Sequence, residues 1–150
     1  MVDTTPPVIT LNEDENVTHE AGPEYVDANA TWTDVVDGNG TVIPTGEVNA
    51  SKLGVYQLTY DLNDTSGNAA KQKTRNVTVV DTKAPVITIL GDDNASHEAG
   101  IVYVDANATW TDNLDGNGTA SFDGGVNPYR PDVYYITYSY TDSSGNEAEL

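Results

Sequence analysis

The sequence predicts an all-β chain made of two tandem antiparallel β-sandwiches, residues 1–80 and 81–150. Three observations lead there. Slid by 78 positions, the sequence aligns with itself without a gap, and about 39 of 70 overlapping positions are identical, which marks an internal repeat. Within each copy, short runs of Val, Ile, Thr, Tyr and Trp are bounded by Gly, Asn, Asp and Pro, with no convincing helical period. The copies meet at Asp81-Thr82-Lys83-Ala84-Pro85, which reprises Asp3-Thr4-Thr5-Pro6-Pro7. Pro85 removes a ladder donor and pushes Ala84 toward extended backbone, so one unit stops and the next begins there.

The first expected strand is Val8–Leu11, whose opening Val8-Ile9-Thr10 returns as Val86-Ile87-Thr88. His19-Glu20-Ala21-Gly22 returns as His97-Glu98-Ala99-Gly100. A second strand covers about 28–33, inside the segment Tyr25 to Asp34 that returns unchanged as Tyr103 to Asp112, and a third covers 41–48. The clearest is 55–63: Tyr56, Leu58, Tyr60 and Leu62 alternate with Val55, Gln57, Thr59 and Asp61, a two-residue period with one buried face. Its twin alternates Tyr134, Ile136, Tyr138 and Tyr140, which leaves Tyr129 and Tyr135 as the exposed tyrosines. Trp32 and Trp110 read as core filling. The loop Asp64 to Asn68 turns the chain into a last strand ending Val77-Thr78-Val79-Val80. Many short strands with frequent turns in about 75 residues are the pattern of a sandwich. By the same offset Leu150 corresponds to Gln72, so nothing in the second repeat matches 73–80. The plain reading is a fragment boundary. The sharper one is a strand donated by a neighbouring subunit, as in strand-complemented filaments, for which residues 1–6 are too short a donor.

Composition narrows the function. With 24 acidic against 6 basic residues the formal net charge is −18, which excludes nucleic acid and an anionic membrane surface as partners. No apolar run approaches the ~18 residues of a membrane span, so direct membrane insertion is not expected. No signal peptide precedes Asp3, and Met1-Val2 reads as a start added to an excised fragment. Regularly spaced strand formers argue against disorder. Cysteine is absent, so two small cores have no disulfide staple, and metal ions are the obvious substitute.

The ordered set Asp3-Thr4-Thr5-Pro6-Pro7-Val8-Ile9, His19-Glu20-Ala21-Gly22, Tyr25-Val26-Asp27-Ala28, Asp34 to Gly38, and Tyr56 to Tyr60 with Asp64 to Asn68 resembles a known group. These are the bacterial Ig-like repeats named after an insecticidal crystal protein. The set is similar, more distantly, to hyalin repeats and cadherin-like modules. The resemblance covers almost the whole chain. It implies Ig-like sandwiches from secreted and surface proteins, used as spacers, stalks and adhesive units. Two departures stand out: Asn29 and Asn107 occupy a position where the family has Gly, and Asn39 and Asn117 stand where an acid is common.

In such a sandwich successive strands alternate direction, so alternate loops share an end. Asp3, Asp34, Asp37 and Asp64 then converge, and in the second repeat Asp81, Asp112, Asp115 and Asp142 do the same. Clustered carboxylates repel unless a cation joins them, and calcium takes six to eight hard oxygens at flexible positions. Magnesium wants a strict octahedron and keeps its waters. Zinc lacks its ligands, with no Cys and with His19 and His97 in separate modules. Singly, each Asp is an ordinary turn acid; at identical offsets in both repeats the set points to calcium.

Nine of the 14 asparagines stand in Asn-x-Ser/Thr: Asn16, Asn29, Asn39, Asn49, Asn63, Asn76, Asn94, Asn107 and Asn117. With Ser and Thr at about a sixth of the chain, chance gives roughly two or three. These read as glycan acceptors, hence an extracellular, cell-surface protein, and the whole suits a surface-layer or surface-filament protein. No nucleophile–base pattern, phosphate loop or metalloprotease motif is present. The reading is therefore a non-catalytic structural module whose partners are neighbouring Ig-like modules or copies of itself. An adhesin or carbohydrate-binding module, meeting surface glycans through exposed tyrosines, is the alternative.

Overall fold

The computed structural model describes residues 2–148. The chain divides into two compact units, Met1–Asp81 and Thr82–Leu150, a boundary one residue later than the division at 80/81. Both units are all-β, and among the described residues no helix is long and apolar enough to cross a membrane.

The described residues of the first unit form six strands: β1 (Val8–Leu11), β2 (Asn16–Glu20), β3 (Ala30–Asp34), β4 (Gly38–Val42), β5 (Gly54–Tyr60) and β6 (Lys73–Val80). They form two sheets, β1-β3-β4 and β2-β6-β5. Ile9, Ala30 and Val42 of the first sheet meet Leu58, Tyr60 and Val77 of the second in one buried cluster, with Leu11, Tyr25, Trp32 and Leu62 packed against it. The alternation read from β5 holds, since Leu58 and Tyr60 are buried and Val55 and Gln57 exposed. β6 alternates the same way, burying Arg75, Val77 and Val79. Pro7 and Pro85 are fully buried, so they pack as well as interrupt.

Three expectations change. β2 was not foreseen, and it pairs with β6 in parallel, from Asn16↔Asn76 to Glu20↔Val80. The strand placed at 41–48 instead begins at Gly38 and ends at Val42. The cause is the turn before it: Asp34 Oδ1 accepts both the Val36 and the Asp37 N–H at 2.8 Å, so pairing starts at once with Asp34↔Gly38. Gly40 belongs in this strand because the Trp32 indole lies against it, and a Cβ there would sit 2.7 Å from Trp32 Nε1. Gly118 lies under Trp110 in the same way, with a Cβ 2.8 Å from the ring. Finally, β5 ends at Tyr60 rather than 63, and beyond it the chain meets its return limb at the isolated bridge Asn63↔Ala69.

Arg75 is fully buried at the start of β6. Its Nη1 lies 2.6 Å from Asp27 Oδ2; Nε donates to the Asp14 carbonyl at 3.0 Å and Nη2 to the Glu13 carbonyl at 3.3 Å. Asp27 also accepts the Tyr60 hydroxyl at 2.7 Å, the Tyr25 hydroxyl at 3.1 Å and the Asn29 N–H at 2.8 Å. Burial pushes the Asp27 carboxyl up, but the bonds from Tyr60, Arg75, Asn29 and Tyr25 outweigh it and hold it below its usual range. Burial, and then Asp27, raise Tyr60 and Tyr25. Asn29 sits at φ 61° and Asn107 at φ 68°, a left-handed conformation that Asn tolerates in place of Gly.

The second unit has β7 (Val86–Ile89), β8 (Ala108–Asp112), β9 (Gly116–Thr119), β10 (Ser121–Gly124) and β11 (Ile136–Ser139). They form the sheet β7-β8-β9 and the pair β10-β11. Ala108, Trp110, Ala120 and Tyr138 make its buried cluster, and Trp110 stacks on Tyr140 at 3.8 Å and 8°. The Tyr138 hydroxyl donates to Asp105 Oδ1 at 2.5 Å. That bond, with burial behind it, pushes its ionisation up to about 12. Among the described residues 94–98 and 132–135, the counterparts of β2 and the first half of β5, form no strand. In the first unit the corresponding strands, β2 and β5, both pair with β6.

Asp27→Asn leaves the Arg75 charge buried without its counter-ion and is expected to remove about 3–5 kcal/mol from the first unit in urea unfolding. The folded Asp27 value is depressed, so its contribution is present above the unfolded value of ~3.9 and is lost as pH falls below it. Tyr60 and Tyr25 are raised, so stability also falls as pH climbs past ~10. Unfolding midpoints across pH, wild type against Asp27→Asn, measure both arms; the acid arm shrinks in the variant.

Candidate metal site

The segment before β1, the β3–β4 turn and the β5–β6 loop meet at one end of the first unit. Carboxylate oxygens of Asp3, Asp34 and Asp64 all lie within 4.8 Å of one another there. Asp81, Asp112 and Asp142 form the corresponding trio of the second repeat.

Each acid is held by its own turn. Asp3 Oδ1 accepts the Thr5 N–H at 3.0 Å, and Asp34 Oδ1 accepts its two turn N–H groups. Asp64 Oδ1 accepts the Asn68 N–H and Oδ2 the Asn68 side-chain amide, both at 2.7 Å. Asp142 repeats this with Asn146 at 2.8 Å and 2.8 Å, and Asp112 repeats Asp34 with Leu114 and Asp115. The second oxygens of Asp3, Asp34 and Asp112 are buried with no hydrogen-bond partner among the described residues. A buried carboxylate oxygen left so costs free energy, and here it lies beside two more carboxylates.

The third acid of each trio is held in its charged form by its own loop. Burial raises the Asp64 carboxyl, and the bonds from Asn68 and the Ser66 and Gly67 N–H groups more than reverse that, so it titrates below its usual range. Asp142 is lowered likewise by Asn146, Ser144 and Gly145 against burial. Tyr140 is raised by burial and by Asp115, Asp112 and Asp142 around it.

Asp37 and Asp115 take a different part from the one the sequence suggested. Asp37 Oδ2 accepts the Thr65 N–H at 2.6 Å and Oδ1 the Thr65 hydroxyl at 2.8 Å. Asp115 does the same with the Ser143 N–H and hydroxyl, each at 2.6 Å. Neither belongs to a trio; each latches the β3–β4 turn, or its second-repeat counterpart, to the loop that carries the third acid. Asn68 and Asn146 were not foreseen as site residues. Asn68 holds Asp64 and also donates to the Asp3 carbonyl at 3.3 Å, and the return of Asp64 to Asn68 as Asp142 to Asn146 was the available signal. The histidines stand apart: His19 Nε2 donates to the Pro23 carbonyl at 2.7 Å and His97 Nε2 to Ile101 at 3.0 Å. Of the sequon asparagines, Asn16, Asn39, Asn49, Asn63, Asn94, Asn107 and Asn117 are exposed, while Asn29 and Asn76 are half-buried.

A family model described as "Bacterial surface protein, Ig-like domain" matches residues 9–79 and 87–150. Among curated proteins, the chain is 30% identical to hyalin of Strongylocentrotus purpuratus and 30% identical to hyalin of Lytechinus variegatus, each over 98% of its length. It spans 13% and 30% of those proteins. Among solved structures, a lipoprotein from Bacteroides thetaiotaomicron aligns with 52% of the chain and 39% of its own, at 27% identity and a TM-score of 0.44. A structure of the CBM51-2 domain in complex with GlcNAc and the INT domains of ZmpB from Clostridium perfringens aligns with 90% of the chain and 29% of its own, at 21% identity and a TM-score of 0.41.

Three carboxylates this close repel one another without a cation. In chelator, Asp34→Asn is therefore expected to stabilise the first unit by about 1 kcal/mol, a rise of roughly 4–8 °C in a small domain. Scanning calorimetry in EDTA reads the shift; a lower melting temperature would mean the acids are not in conflict.

Proposed function

Because the chain belongs to the family of the bacterial surface protein Ig-like domain, we propose that it is a non-catalytic extracellular structural module, a tandem of sandwiches stiffened by calcium. The observation that supports this reading is the trio Asp3, Asp34 and Asp64, in which one buried oxygen each of Asp3 and Asp34 has no donor among the described residues, together with the trio Asp81, Asp112 and Asp142, in which one oxygen of Asp112 has none. Hard oxygens on flexible turns suit calcium, and loop carbonyls and water can complete six to eight ligands. An ion at each trio would tie the segment leading into the first strand of a repeat to two of that repeat's loops. Ordering a linker residue such as Asp81 in this way restricts the bending of one module against its neighbour. The task is then to hold a defined spacing and angle within a surface layer or filament.

Glycosylation is part of the proposal. Seven sequon asparagines are exposed, as acceptance requires, and glycans would add bulk and solubility outside the cell. Asn76 Nδ2 donates to Asn16 Oδ1 at 3.2 Å, so a glycan on Asn76 would break that bond. The rival reading, an adhesive or carbohydrate-binding module, rests on Tyr129 and Tyr135, each 81% exposed. Reproducible hits on a glycan array would move the function to it.

Calcium in hundredfold excess over its dissociation constant is expected to stabilise by about 2.7 kcal/mol, a shift well above 4 °C that EDTA reverses. Asp34→Asn should then melt below wild type in calcium. Small-angle scattering with and without calcium tests the stiffening, and identical curves would refute it. Intact mass of natively sourced protein is expected to exceed the polypeptide mass; the bare mass removes the glycan part.

A further inference from the structure

Asp37 and Asp115 belong to no trio, yet both hold together the parts that do. Asp37 lies in the turn between β3 and β4 that begins with Asp34, and it gives both oxygens to Thr65, the neighbour of Asp64. The turn that carries one acid of the trio is thereby tied to the loop that carries another, by bonds of 2.6 Å and 2.8 Å. Asp115 repeats the arrangement on Ser143, beside Asp142, with two bonds of 2.6 Å. Thr65 becomes Ser143 in the second repeat, so the hydroxyl is what the two copies share and the methyl group is dispensable.

The other bonds at this end act within a loop. Asp34 takes two N–H groups of its own turn, and Asp64 takes the Asn68 N–H and side-chain amide. The turn belongs to the sheet β1-β3-β4 and the loop joins β5 to β6 of the other sheet, so no ladder sets the distance between them. The Asp37–Thr65 latch does. The trio it gathers has carboxylate oxygens within 4.8 Å of one another, and one buried oxygen each of Asp3 and Asp34 has no donor among the described residues. Calcium, with bonds of about 2.3–2.6 Å and no strict geometry, accepts oxygens so placed. Magnesium binds at about 2.0–2.1 Å in a near-octahedral set, which asks oxygens on separate loops to adjust both spacing and angle. A two-bond tie between those loops resists the adjustment.

We propose that Asp37 and Asp115 are positioning residues which, through the Thr65 and Ser143 hydroxyls, fix the spacing within each trio and so make it select calcium over magnesium. The inference rests on the calcium reading of the trios. It gives the two latch acids no place among the ligands, because both oxygens of each are committed to N–H and O–H donors. Discrimination between the two ions follows cavity size and flexibility, and groups that orient the ligands from behind change metal affinity by about 10–100-fold. Bonds to a charged acceptor are the short, strong ones, which suits a carboxylate to the latch. Its charge also attracts a cation directly, so replacing Asp37 would mix two effects. The neutral hydroxyl separates them.

The probes are calcium chloride and magnesium chloride, each titrated calorimetrically into the full chain. Wild type is expected to prefer calcium. Removing both hydroxyls, Thr65→Val with Ser143→Ala, keeps every carboxylate and is expected to weaken calcium binding about tenfold, with magnesium affected less, so that the preference narrows. Exchanging them, Thr65→Ser with Ser143→Thr, keeps the latch and should preserve both affinities. Ser143→Ala alone gives the same comparison at one trio if the double variant does not fold. Hydroxyls with only a structural part would lower the melting temperature in EDTA and leave the calcium-to-magnesium ratio unchanged, and that result overturns the proposal. An exchange variant that loses the preference overturns it too. If wild type binds no calcium, the calcium reading falls and takes this inference with it; if wild type binds and the hydroxyl-free variant shows the same ratio, the latch alone is refuted.

Discussion

A guanidinium cannot be buried alone, and the first unit is arranged around that constraint. Arg75 comes from β6, Tyr60 from β5, and Asp27 from the segment leading into β3, so one carboxylate joins the two sheets through a cation and a phenol. The remaining Arg75 donors are taken by the carbonyls of Asp14 and Glu13, which fixes the chain just before β2. A buried pair of this kind is an uncertain source of net stability, because desolvation of both charges opposes their attraction. What it supplies is placement. With Arg75 on Asp27, β6 has only one register against β2 and β5.

The other acids follow a second logic. Asp34, Asp64, Asp112 and Asp142 each spend an oxygen on turn N–H groups, which orders loops that have little apolar surface to bury. Asp37 and Asp115 spend both oxygens on a neighbouring loop. The acidity is therefore not one property. Some carboxylates are structural acceptors, and others are gathered into trios in which one oxygen each of Asp3, Asp34 and Asp112 is buried without a donor among the described residues.

The parts legible in the sequence were those where a local signal and the tertiary environment agree. The alternation of Tyr56, Leu58 and Tyr60 records a real buried face, and the repeat revealed two units and pointed to four acids in each copy of the repeat, three of which meet. β2 escaped because Asn16–Glu20 offers only Val17 as an apolar residue, and its parallel partner lies some sixty residues away. β4 was misplaced because Gly38-Asn39-Gly40 reads as turn, while the Trp32 ring demands the glycine inside the ladder. The Asp27 network was readable only in part: an arginine on the inward face of an alternating Val strand calls for a buried acid, but its position depends on packing between sheets. Whether Asp37 or Asp34 joins a cluster turns on which oxygen meets Thr65 first, a matter of ångströms that spacing does not carry.

The parallel pairing of β2 with β6 has a mechanical meaning. Once β1 has parted from β3, a pull on the two ends of the unit reaches β2 from its N-terminal side and β6 from its C-terminal side. In a hairpin such a force opens one rung after another, like a zip. Here the rungs from Asn16↔Asn76 to Glu20↔Val80 lie across the direction of sliding and carry the load together. The geometry that made β2 invisible to a local reading of the sequence is the one that lets the first unit resist being drawn apart by its ends.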